Sequence, residues 1–170
     1  MPDANDSGWA STVVVGSLTG IALTAEWLPH DVAAHFALDG RADGVIAHDL
    51  YLTLVIGATV LLSGLASCLL RVAVLRFPDL VNLPNRGYWL APERYEATGA
   101  FLARRAVWLA AILSLFTFGL HLLVLRANRD SPARLDAPAL MAVMTALFAA
   151  LGAWVAQLRR HFERVKSAVQ

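Results

Sequence analysis

Long apolar runs separated by short polar segments dominate this chain. Four stretches, residues 7–25, 50–70, 106–125 and 137–158, contain no Asp, Glu, Lys or Arg, and each is 19 to 22 residues long. A helix rises about 1.5 Å per residue, so about 20 residues cross a hydrocarbon core of roughly 30 Å. The runs are apolar on every side, which excludes the short alternating strands of a membrane barrel. Four such helices in so small a chain would leave a soluble protein almost no polar surface. The pattern predicts an all-α integral membrane bundle in one domain, residues 1–170. Its four transmembrane helices are expected over about 8–27, 49–72, 104–126 and 137–159, with a short structured outer loop and a longer cytoplasmic one.

Composition supports this reading: 58% of the residues are hydrophobic and 16% charged, against about half and a quarter in soluble domains. The net charge of +1 gives no electrostatic basis for nucleic-acid binding. The segment before the first run carries Asp3 and Asp6 and no base. A secretory signal has the opposite charge there, so the first run is expected to be retained as a helix. Cys68, the single cysteine, excludes a disulfide framework and a cysteine-based metal site. Placing both termini inside puts ten Arg and Lys residues on the cytoplasmic side and four outside. Loops one and three are therefore expected outside, with both termini cytoplasmic.

Small residues mark possible helix contacts. Gly16 and Gly20 form a GxxxG pair, a spacing that lets helix backbones approach closely within a bundle or between two copies of the chain. In the second loop, Pro92 suits the first turn of a helix. From Glu93 the chain runs without a strong breaker into the third apolar stretch, which predicts an interfacial helix or a long extension of the third span.

The first outer loop contains Leu28-Pro29, Val32, His35-Phe36, Asp39-Gly40 and Asp43-Gly44. The second contains Asn82, Pro84, Asn85, Tyr88, Trp89, Pro92 and Arg94. These two motifs, in this order, resemble a bacterial multi-helix membrane family of unknown function, the "sixteen-forty-eight" domain. That family is similar in its N-terminal part to immunity proteins against a sporulation-delaying toxin. The resemblance implies a multi-pass protein of the bacterial cytoplasmic (inner) membrane, with the His35-Phe36 to Asp43-Gly44 loop as its most characteristic feature and no assigned chemistry.

The candidate chemistry is concentrated in the same loop. His30, His35 and His48 lie among Glu26, Asp31, Asp39, Asp43 and Asp49. His121 is expected at the same depth, near the outer end of the third span. Imidazoles and carboxylates together suit zinc or another divalent metal, and Met141 and Met144 would suit copper. Yet no spacing matches a standard zinc motif, and Asp-Gly pairs are ordinary turn signals. The preferred reading is that His35 braces the loop by bonding a carbonyl or an aspartate. No cofactor and no catalytic residue is predicted. The expected function is a non-catalytic accessory, immunity-like or sensor protein that binds another membrane component or self-associates through Gly16 and Gly20. One alternative is a metal site at the outer face with an enzymatic or metal-handling role. The other is a small dimeric transporter, for which Glu26 and mid-span hydroxyls such as Thr19, Thr59, Ser63 and Ser114 are the available polar groups.

Overall fold

The computed structural model describes residues 5–77 and 83–164, with residues 5–7 and 71 described by their backbone alone. Helix α1 (Asn5–Ala25) leads into a hairpin of strands β1 (Asp31–Phe36) and β2 (Ala42–Ala47). Helix α2 (His48–Arg76), the short α3 (Arg86–Trp89), α4 (Pro92–Ala127) and α5 (Ala137–Glu163) follow. The four long helices are each long and apolar enough to cross a membrane, as expected. They run up and down in chain order. One end of the bundle carries the hairpin, and the other carries the start of α1, α3 and the end of α5.

Helix α4 is the axle. Its 36 residues span about 54 Å, well beyond one hydrocarbon core. Pro92 occupies its first turn, and the helix continues through Gly99 without interruption, so the second loop ends in the expected extension of the third span. Helices α1, α2 and α5 each pack on α4, and α5 packs on no other long helix to a comparable extent.

The α2–α4 contact is built from small hydroxyl residues at one-turn intervals. Thr59 donates to Thr117 at 2.8 Å, and Ser63 lies 2.9 Å from Ser114 and 3.3 Å from the Ala110 carbonyl. Ser67 donates to the carbonyl of Ala106 at 3.1 Å. Lipid offers no hydrophobic drive between helices, so close approach and such bonds supply the association.

The Gly16/Gly20 pair is divided between two environments. A Cβ on Gly20 would lie 2.8 Å from the Phe118 ring of α4, so glycine is needed for α1 to seat, whereas Gly16 faces open space. Gly20 therefore acts inside the bundle.

Two apolar clusters close the bundle at its ends. Leu28, Val32, Tyr51 and Leu125 form one beneath the hairpin. Val74, Leu83, Phe101, Leu102 and Phe162 form the other, with Trp89 and Leu90 against it.

Candidate functional site

The first loop folds as an antiparallel hairpin with irregular register between Ala33 and Phe36. Its turn follows the expected Asp39-Gly40 signal: Gly40 has φ +82, and Asp39 Oδ1 accepts from Arg41 N. Asp43-Gly44 is not a turn. These residues lie within β2, with Gly44 opposite His35. The glycine is required there for another reason, since a Cβ at position 44 would meet the His35 Cβ at 3.0 Å. The absent side chain leaves room for the His35 ring, whose Nδ1 bonds Asp43. His35 thus braces the loop through an aspartate.

Both outer edges of the hairpin are tied to the bundle. Asn128, the C-cap of α4, accepts from Ala33 N through Oδ1 at 2.9 Å and donates to the Ala33 carbonyl through Nδ2 at 2.9 Å. The same Nδ2 reaches the Val124 carbonyl. On the other edge, Ala42 N donates to Ala133 O and Leu135 N donates to Gly40 O, so the third loop is stitched to the hairpin turn. Asp136 accepts from Ala139 N as the N-cap of α5 and pairs with Arg126 at the end of α4.

Directly below, the fully buried His121 joins three helices. Its Nε2 lies 2.8 Å from Thr24 Oγ1 of α1, and its Nδ1 lies 3.0 Å from Tyr51 Oη of α2. The donor count assigns the ring tautomer. The Thr24 hydroxyl donates its one proton to the Gly20 carbonyl at 2.6 Å, so it accepts from an Nε2–H. Nδ1 is then the acceptor for the Tyr51 hydroxyl, and every polar group in the chain of bonds is satisfied. A neutral imidazole fits this arrangement without an ion.

The histidines considered as metal ligands are not brought together. His48 Nε2 reaches the Ala25 carbonyl and His121 reaches Thr24, so both meet the end of α1 at one depth, but on separate partners. His30 is exposed beside its neighbour Asp31, and His35 is held by Asp43. Among the described residues, no group of three or more His, Cys, Asp or Glu side chains could hold one ion. Met141 is exposed on α5, and Glu26 is exposed past the end of α1. Of the hydroxyls considered as a path, Thr59, Ser63 and Ser114 are buried and bonded across the α2–α4 contact, whereas Thr19 is exposed.

Among exposed charged side chains such as Asp31, Asp39 and Arg41, the hairpin end also presents apolar ones. Leu38 at the turn is fully exposed, and Val45 and Trp27 are 64% and 63% exposed. Between the hairpin and α2 lies a cavity of about 410 Å³, lined by Ala34, His35, Gly44, Val45, Ile46, Tyr51, Leu54 and Val55. Phe36 is half-buried at the end of β1.

The second-loop motif assembles at the other end of the bundle. Asn82 lies outside the described residues. Asn85, in the left-handed region at φ 54, donates through Nδ2 to the Phe162 carbonyl at 2.9 Å. Trp89 donates through Nε1 to the same carbonyl at 3.0 Å. The last carbonyls of a helix lack partners within it, so these two donors cap α5. Pro84 is half-buried beside Asn85, the Arg94 guanidinium lies 3.9 Å over the Tyr88 ring, and Thr98 donates to the Trp89 carbonyl. The motif is a clasp for the fourth span.

Sequence reasoning did not single out Tyr51 or Asn128, and it took Thr24 only as the next small residue at the Gly16/Gly20 spacing. Only Asn128 carried a local signal, an Asn just past the last apolar residue of a helix. Comparison with family models, curated proteins and solved structures yields no match to this chain.

Proposed function

We propose that this chain is a non-catalytic protein of the bacterial cytoplasmic membrane that binds another membrane component through its outer hairpin face. It would act as an accessory subunit, an immunity-like factor or a sensor. The observation that carries this reading is the division of labour at the hairpin end. His35, His48, His121 and the Asn128 amide are engaged in bracing, while Trp27 and Leu38 remain open to solvent or lipid and Val45 lines a preformed cavity. A rigid platform with an apolar face suits recognition of an apolar partner segment at the membrane surface. The excess of Arg and Lys in the second loop and C-terminal tail supports an orientation with this face outside. The two loop motifs support the bacterial assignment.

Photo-crosslinking tests the proposal. A photoreactive residue at Val45 or Leu38 is expected to give one discrete adduct in native membranes. A probe at Leu61, exposed on the side of α2, should give only lipid adducts. Asn128→Ala, which frees the hairpin edge, should weaken the Val45 adduct while leaving the amount of protein in the membrane unchanged. Adducts from Val45 and Leu38 no different from those at Leu61 would overturn the reading.

A further inference from the structure

The α4–α5 contact differs from the rest of the bundle, and its form points to a ligand. Helix α5 leans on α4 and, among the described residues, on no other long helix to a comparable extent, and a furrow opens between them. The furrow has two adjoining cavities, about 270 Å³ and 350 Å³, which share Ile112 and Ala150. The first is lined only by aliphatic residues, Phe116 and Gly119. The second, nearer the end that carries the second loop, adds Arg105, Trp108, Trp154 and Gln157. From Arg105 to Gly119 the furrow follows about 21 Å of helix, more than half of a hydrocarbon core of roughly 30 Å. Its polarity therefore runs in the same sense as that of a lipid, with a cationic head and an apolar tail.

The head of the furrow is organised. Trp154 donates its indole N–H to the Arg105 carbonyl at 3.0 Å, which fixes the ring against α4. Arg105 Nη1 donates to Gln157 Oε1 at 3.0 Å, which aims the guanidinium. The guanidinium also lies 5.4 Å over the Phe101 ring, and among the described residues no carboxylate pairs with Arg105, so its charge is open to an anion. Arg104 precedes it, and Arg159 and Arg160 lie at the same end of α5. Tryptophan and arginine together mark the headgroup zone of a bilayer.

We infer that this furrow binds one anionic phospholipid, with the phosphate on Arg105 and one acyl chain along Ile112, Gly119, Ala146 and Ala150. The lipid enters sideways from the leaflet at that end and holds α5 against the axle. This site is separate from the hairpin face and does not depend on the function proposed for it.

Native mass spectrometry of the full chain, with phosphatidylglycerol and phosphatidylcholine offered in equal amounts, tests the site. One phosphatidylglycerol per chain should be retained in preference to phosphatidylcholine. Arg105→Gln should weaken that retention at least tenfold, the loss expected for one charge-assisted contact, and Arg105→Lys should restore part of it. Ala146→Phe, which fills the furrow mouth at an exposed position and leaves Arg105 in place, should also abolish retention. Phosphatidylglycerol should raise the Tm of the wild type but not that of Ala146→Phe. Equal retention of both lipids, or retention unaltered in both Arg105→Gln and Ala146→Phe, overturns the inference. Displacement of the lipid by inorganic phosphate alone would mean a free-anion site and overturns it as well. So would crosslinks from Ala146 to a second copy of the chain.

Discussion

The two sides of α4 use different means to hold a neighbour. Towards α2, hydroxyls meet hydroxyls and carbonyls turn after turn, from Thr59–Thr117 to Ser67–Ala106, and small residues bring the backbones close. Towards α5 the middle of the contact is aliphatic and open, and attachment is concentrated at the ends. Arg126 pairs with Asp136 at the hairpin end, and at the other end Trp154 and Gln157 meet Arg105 while Asn85 and Trp89 hold the Phe162 carbonyl. The first side is a continuous seam and the second a clasped hinge. A seam spreads its stability over many weak bonds. A clasp concentrates it in few, which leaves room for a guest between the helices.

Substitutions sharpen this contrast. The largest effect is expected at the top of the seam side, where His121→Leu leaves the Tyr51 hydroxyl and the Thr24 acceptor unpaired. Buried polar groups without partners cost about 1–3 kcal/mol each. A loss of about 3 kcal/mol in reversible unfolding from detergent should follow, and a loss below about 1 kcal/mol would deny His121 its place as a hub. Next is Gly20→Ala, which drives a methyl into the Phe118 ring. Overpacking of this kind costs about 2 kcal/mol, and Phe118→Leu in the same chain should recover more than half. If the single substitution is neutral, α1 does not sit as described. On the clasp side, Trp89→Phe removes one of two donors to the Phe162 carbonyl and should cost about 1 kcal/mol. Limited proteolysis should then cut the C-terminal end of α5 faster while α2 stays protected. Ser63→Ala, within the seam, should cost only about 0.6 kcal/mol, the scale of one interhelical bond in a membrane protein. A Ser63→Ala effect larger than that of Trp89→Phe would reverse the contrast between seam and clasp.

The spans were legible because the physics that selects them is one-dimensional. A run free of charge and about 20 residues long needs no tertiary partner to declare itself, and Pro92 announced the start of the long third helix by its own backbone chemistry. The hairpin was not legible as strands. Asp31–Phe36 and Ala42–Ala47 lack a clean alternation, and Asp43-Gly44 reads as a turn until the His35 side chain is seen across from it. The second-loop residues were recognisable as a set, but their task was hidden because their acceptor is a backbone carbonyl some 70 positions away. The Thr24–His121–Tyr51 link was out of reach for the same reason. Its members come from three helices, and no local pattern connects them.

The Asn128 amide has a consequence for how the hairpin can be approached. Accepting from Ala33 N and donating to Ala33 O, it imitates the peptide group of an additional strand. The opposite rim is occupied at Ala42 by the Ala133 carbonyl. An exposed rim of unpaired peptide groups is a template for edge-to-edge pairing with other chains. Here both rims are blunted at the point where a foreign strand would begin to zip. Extension of the sheet by a visiting polypeptide, one of the general modes of peptide capture, is therefore closed off at these two positions, and the hairpin is protected from the same pairing with copies of itself.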